Sequence, residues 1–148
     1  MPHITTDISA DGAIIDFLVG VSAAHAKLFS AKKQSPPAPV KLRGIIDTGA
    51  SITCLHSDSV ASLQLRVTGN VPIMTPSTGN SSHACDQSDI SLILQHADGN
   101  VELTTLPIIT TDLSCLAKLG IHALIGRDVL AKCLFFYNGA VKRFALAF

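Results

Sequence analysis

At 148 residues the chain is the size of one domain, long enough to bury a core of its own. Hydrophobic residues make up 47% and charged residues 15%, yet no apolar run approaches the roughly 18 residues that a membrane span needs. The formal net charge is +0 without a basic cluster, which argues against nucleic acid and against an anionic membrane surface as partners.

The start of the chain, Met1 to Asp7, lacks the positive region and apolar stretch of a signal peptide, so a cytoplasmic location is expected. Ile4 to Ala10 and Ala13 to Val21 flank Asp11-Gly12 and predict a hairpin. Ala23 to Lys33 reads as a short helix or structured loop, running into the extended connection Gln34-Ser35-Pro36-Pro37-Ala38-Pro39. Val40 to Ile46 is an apolar strand that ends on Asp47. Ser57 or Asp58 can cap a short helix reaching Leu65. Val71 to Thr78 and His83 to Leu94 predict two strands joined around Gly79-Asn80.

Ala97-Asp98-Gly99-Asn100 is a further tight turn, leading into the strand Val101 to Ile109. Asp112 to Leu119 has helical spacing, with Asp112 as N-cap and Gly120 in the stop position. Ala123 to Ile125 is a short strand and Arg127 to Lys132 a short helix. Cys133 to Tyr137 and Val141 to Phe148 then close the chain as a hairpin across Asn138-Gly139. Many short strands with Gly-containing turns predict a mostly-β fold, a closed or nearly closed barrel with one or two short helices.

The four cysteines, Cys54, Cys85, Cys115 and Cys133, show no C-x-x-C spacing and read as reduced thiols. Six histidines invite a metal reading, but no H-x-x-x-H or comparable ligand spacing occurs. No metal and no cofactor is expected. The surplus of apolar residues is better explained by a subunit interface.

Two segments carry chemistry. In Gly44-Ile45-Ile46-Asp47-Thr48-Gly49-Ala50-Ser51, a carboxylate ends a buried strand and is followed by small, turn-forming residues. That order presents an acid into a cleft, and Gly49 lets a substrate backbone approach it. The second segment is Ala123-Leu124-Ile125-Gly126-Arg127-Asp128-Val129-Leu130. With these two motifs in this order, the chain resembles the retropepsin-like aspartic proteases, the single-domain, homodimeric relatives of pepsin that include the retroviral enzymes.

The resemblance covers roughly residues 40–148. In particular it looks like the bacterial, non-viral members, on Leu134-Phe135-Phe136-Tyr137-Asn138-Gly139 and Arg143-Phe144-Ala145-Leu146-Ala147-Phe148. It implies a single pepsin-like domain, with 1–39 as an N-terminal hairpin plus insertion and 40–148 as the core holding both motifs. It also implies that Asp47 is the catalytic acid, supported by Thr48, Gly49, Ala50, Ser51, Leu124, Ile125, Gly126 and Arg127. Met74 to His83 takes the place of the family's flap, with Thr75, Pro76, Ser77, Thr78, Gly79 and Asn80 as its substrate-facing part.

Viral members often carry an aspartate after Asp-Thr-Gly-Ala, where it pairs with the arginine of the Gly-Arg motif. This chain has Ser51 there, so Arg127 needs another partner, a backbone carbonyl or a carboxylate of a second subunit. The catalytic triplet occurs once, so a second Asp47 must come from a second molecule. The expected function is an aspartic endopeptidase acting on a peptide or protein substrate as a homodimer. The alternative is a non-catalytic dimeric peptide-binding module on the same fold, and a third reading is a dormant enzyme trimmed before Val40. Phe144, Leu146 and Phe148, at period-two spacing, make the last strand the expected intersubunit strand.

Overall fold

The computed structural model describes residues 1–75, 79–97 and 99–148. In chain order the strands are β1 (His3–Asp7), β2 (Ile14–Val21), β3 (Val40–Ile46), β4 (Cys54–His56) and β5 (Val67–Ile73). Then come β6 (His83–Leu94), β7 (Val101–Thr111), β8 (Ala123–Ile125), β9 (Leu134–Asn138) and β10 (Arg143–Ala147). Among the described residues, four short α-helices punctuate them, α1 (Ala23–Ala31), α2 (Ser57–Val60), α3 (Ser114–Ala117) and α4 (Arg127–Leu130), with a 3-10 turn at Ala61–Leu63 after α2.

Alternation along the strands builds a barrel. In β2, Ile15, Phe17 and Val19 turn inward while Asp16 faces water beside Lys41 at 3.0 Å. β2 pairs antiparallel with β3 on one side and with β6 on the other. β3 runs parallel to β8, β8 antiparallel to β4, β4 parallel to β7, and β7 antiparallel to β6. The circuit therefore returns to β2 and closes six strands on themselves, with β5 hanging from β6 as an outer strand. Val19, Leu55, Ile90, Ile108 and Ile125 fill the interior with no measurable exposure, the tight interior expected of a small barrel. The mostly-β expectation holds, and no helix of the described residues is long and apolar enough to cross a membrane.

A second, three-stranded sheet has the order β1-β10-β9. Phe144 and Leu146 on β10 join the barrel core, and the Phe135 and Phe144 rings meet edge-on at 6.2 Å.

Three sequence expectations are corrected here. β1 and β2 do not form a hairpin: only Ser9 and Gly12 bridge, and the chain turns a corner that sends β1 to β10 and β2 into the barrel. Gly12 makes that corner at φ +121, with the Ile45 side chain packed where a Cβ would stand. The last strand is not an edge. β10 lies between β1 and β9, and its period-two Phe144 and Leu146 face this chain's own core. β5 begins at Val67 and ends at Ile73, earlier than the expected Val71 to Thr78, and Pro76, Ser77 and Thr78 lie outside the described residues.

Candidate active site

The site grows from the parallel pair β3 and β8, in which Gly44, Ile45 and Ile46 stand against Ala123, Leu124 and Ile125. The strands pass close because residue 44 has no side chain. A Cβ there would meet Phe17 Cε1 at 2.9 Å and Ile125 Cγ1 at 3.0 Å. The Asp47 N–H donates to the Ile125 carbonyl at 2.9 Å, so the carboxylate emerges where the paired strands end.

A tight turn follows. The Ala50 N–H donates to the Asp47 carbonyl at 3.2 Å, and the Gly49 N–H donates to Asp47 Oδ1 at 2.9 Å. The backbone donor orients the half-exposed carboxylate, while Thr48 and Gly49 stay exposed beside it.

The loop is fastened from behind by the start of α4. The Arg127 N–H donates to the Ala50 carbonyl at 2.9 Å, and Arg127 Nη1 donates to the Thr48 and Gly49 carbonyls at 3.0 and 3.4 Å. With Ser51 rather than a carboxylate after Ala50, the guanidinium takes backbone carbonyls. It remains exposed, so no buried charge is left without a partner.

A second fastening joins residues that sequence reasoning did not single out. Buried Thr53 donates its N–H to Asp128 Oδ2 at 2.9 Å and its hydroxyl to Asp128 Oδ1 at 2.7 Å. The same hydroxyl accepts the Gly126 N–H at 3.0 Å, and Asp128 Oδ1 also accepts the Val129 N–H at 2.9 Å. Gly126 sits so close that a Cβ would lie 2.8 Å from the Ile52 carbonyl carbon. The only sequence signal was an acidic residue in the first turn of a short helix, which is ordinary helix-start chemistry.

In front of the loop lies a cleft of about 420 Å³. Asp47, Gly49, Ala50 and Ser51 form one rim, and Ile73, Met74 and Thr75 at the end of β5 form another. Ile52, Cys54, Ile109 and Leu124 complete an apolar lining. Of the expected support residues, Leu124 reaches the cleft, whereas Ile125 and Gly126 are buried behind it. Of the expected flap residues, Thr75 lines the cleft. Gly79, at φ +59, and Asn80 are exposed and do not line it.

Burial, reinforced by nearby Cys85, pushes the Cys54 thiol up to about 12. It is therefore protonated at neutral pH and is no nucleophile. Among the described residues no group of three or more His, Cys, Asp or Glu could hold a metal ion. The chemistry available is that of an oriented carboxylate beside an apolar cleft.

No protein-family model and no curated protein matches the sequence. Solved structures do match the fold. A retropepsin-like aspartic protease from Rickettsia conorii superposes with a TM-score of 0.58 at 17% identity, over 99% of this chain and 90% of that one. An aspartic proteinase from Irpex lacteus gives a TM-score of 0.56 at 18% identity, over 99% of this chain but 47% of that one. This chain thus spans about half of the fungal enzyme. A barrel carrying one Asp-Thr-Gly loop, braced by a Gly-Arg turn and faced by the end of β5, has the fold of the retropepsin-like aspartic proteases.

Proposed function

We propose that the chain is an aspartic endopeptidase that works as a homodimer, with Asp47 of each subunit forming the catalytic pair. The observation that carries this reading is a single carboxylate, oriented by the Gly49 N–H, at the rim of an apolar cleft. The match to 47% of a longer aspartic proteinase supports it, because two copies of this chain have about the length of that protein.

Two carboxylates brought together across a twofold axis cannot both ionise cheaply, so they share a proton. The ionised one takes a proton from a bound water, and the protonated one donates to the substrate carbonyl oxygen. The first carboxyl then passes its proton to the amide nitrogen while the second takes one from a gem-diol hydroxyl; the C–N bond breaks, amine and acid leave, and no covalent intermediate forms. Gly49 leaves room for the substrate backbone, the exposed Thr48 hydroxyl braces the facing loop, and the β5–β6 hairpin covers the bound chain.

The test is cleavage of a diverse peptide mixture, read by mass spectrometry from about pH 3 to pH 8, for wild type and Asp47→Asn. The expected result is cutting by wild type, with a bell-shaped dependence on pH, and none by Asp47→Asn. Equal silence from both, on a folded dimer, would overturn the enzyme reading and leave a peptide-binding module. Equal cutting by both would remove Asp47 from the chemistry.

A further inference from the structure

Charge is unevenly spread along a chain whose formal net charge is +0. From Phe17 to Ile46 there is no carboxylate, while Lys27, Lys32, Lys33, Lys41 and Arg43 all lie there, so the surroundings of α1 are cationic. α1 is also incompletely packed. None of its residues is buried, although Leu28 and Phe29 are among them.

His25, Leu28, Phe29 and Lys32, at the spacing of one helix face, line a groove. The facing wall is Arg66 with Val67 and Thr68 at the start of β5. Two hollows of about 440 and 290 Å³ make up this groove and share His25, Leu28 and Arg66. Its middle is apolar, with Leu28 45% and Val67 53% exposed. Its ends differ: Lys32 and Gln34 mark one, and half-buried Asp89, near Ser22, marks the other. Neither Arg66 nor Lys32 has an ion-pair partner among the described residues. β5 ties the groove to the cleft. Val67 and Thr68 line the groove, and Ile73 lines the cleft, roughly 20 Å further along the strand.

We propose that the groove between α1 and β5 is an exosite for the protein substrate, taking an extended acidic segment with an apolar residue beside its carboxylates. From His25 to Lys32 the helix advances about 10 Å, room for about three residues of extended chain. The apolar side chain lies on Leu28 and Val67, and the carboxylates face Arg66 and Lys32. Asp89 repels a carboxylate at the other end and so sets the direction of the segment. It also disfavours a nucleic acid, whose evenly spaced phosphates would meet that carboxylate. Resting on the protease reading above for its link to cleavage, the exosite holds the substrate about six extended residues from the scissile bond.

The binding test is fluorescence anisotropy in an Asp47→Asn background, which leaves the probe uncut. The probe is a labelled peptide with Leu-Glu-Glu at its centre, compared with Leu-Gln-Gln and Leu-Lys-Lys versions. Arg66→Glu, Lys32→Glu and Leu28→Ser are added singly, with Lys118→Glu, exposed and outside the groove, as the control. The acidic peptide is expected to bind about 10-fold tighter than the neutral one. Each groove charge reversal should weaken it about 10-fold and Leu28→Ser about 5-fold, while Lys118→Glu stays within about 2-fold. Circular dichroism should be unchanged throughout, because all four side chains are exposed. Equal binding of acidic and neutral peptides overturns the proposal, as does binding indifferent to both Arg66→Glu and Lys32→Glu. Displacement of the probe by an oligothymidine strand at lower concentration than by unlabelled peptide overturns it in favour of nucleic acid.

The link to cleavage is read separately, with wild type and a cut site found in the peptide mixture. Joining Leu-Glu-Glu about six residues from that site should lower KM about 10-fold at unchanged kcat, and Arg66→Glu should cancel the gain. Binding without any cleavage keeps the groove as a peptide site and removes the protease reading. Cleavage indifferent to the acidic segment keeps the protease and removes the exosite.

Discussion

The barrel and the three-stranded sheet solve the edge problem in opposite ways. The barrel closes β2 onto β6 and turns its apolar side chains inward, so its strands satisfy one another. The sheet buries Phe144 and Leu146 on one face and leaves Leu134 and Phe136 on the other. Within one chain, then, the same residue types serve as core in one place and as surface in the other. The difference teaches where stability resides: the barrel carries the fold and the oriented carboxylate, and the sheet leaves apolar side chains on its outer face.

That division can be broken by experiment. Ile125, fully buried directly behind Asp47, should be the most sensitive position. Ile125→Ala is expected to lower unfolding stability by about 2–5 kcal/mol in urea titrations, through lost apolar burial and the cavity left behind. Asp128→Ala comes next. It strips acceptors from the Thr53 N–H and hydroxyl, for a loss of about 1–3 kcal/mol. Asp128→Asn, which retains one acceptor oxygen, should lose less and keep more cleavage activity. A variant with wild-type stability at either position would show that the barrel does not rely on the contacts described.

The pH dependence sharpens the contrast further. The Cys54 thiol is raised from its ordinary 9.0 to about 12, by burial first and by Cys85 second. The folded chain thus keeps a proton that the unfolded chain releases. The stability linked to this group is intact below pH 9.0 and declines as pH rises toward 12. Denaturation between pH 8 and pH 10.5 should show that decline in wild type and a flatter profile in Cys54→Ala. A profile unchanged by the substitution would assign the alkaline loss elsewhere. The smallest effect belongs to the sheet's outer face. Phe136→Ser, measured at concentrations where the chain is monomeric, should change unfolding stability by no more than about 0.5 kcal/mol. A larger loss would mean that Phe136 belongs to the core after all.

Much of the fold is written locally. The apolar run Val40–Ile46 ends on Asp47 and matches β3 residue for residue, and the expected closing hairpin forms as β9–β10, with its turn over 139–142 rather than at Asn138-Gly139. β4 escaped because three residues, Cys54–His56, are too few to show a period. The place of β10 escaped for another reason. Alternation tells which face of a strand is buried but not which strands flank it, and that choice is made by closure of the whole chain. At the site, Asp47 was legible because strand end, acid and glycine are adjacent. Thr53 and Asp128 were not, because 75 residues separate them and no spacing rule spans that distance. Arg127 was read as needing a partner, and the partners proved to be the Thr48 and Gly49 carbonyls of the Asp-Thr-Gly loop.

The pairing of β1 with β10 sets residues His3 to Asp7 against Arg143 to Ala147, nearly the full length of the chain apart. Every barrel strand is complete in sequence before β10 is made. As the chain leaves the ribosome, the barrel can close first, whereas the three-stranded sheet must wait for the final strand. Pairings between such distant segments are slow to form, since the intervening loop must be ordered first. The three-stranded sheet, with Leu134 and Phe136 exposed on its outer face, therefore matures last in the folding sequence, after the oriented carboxylate is in place.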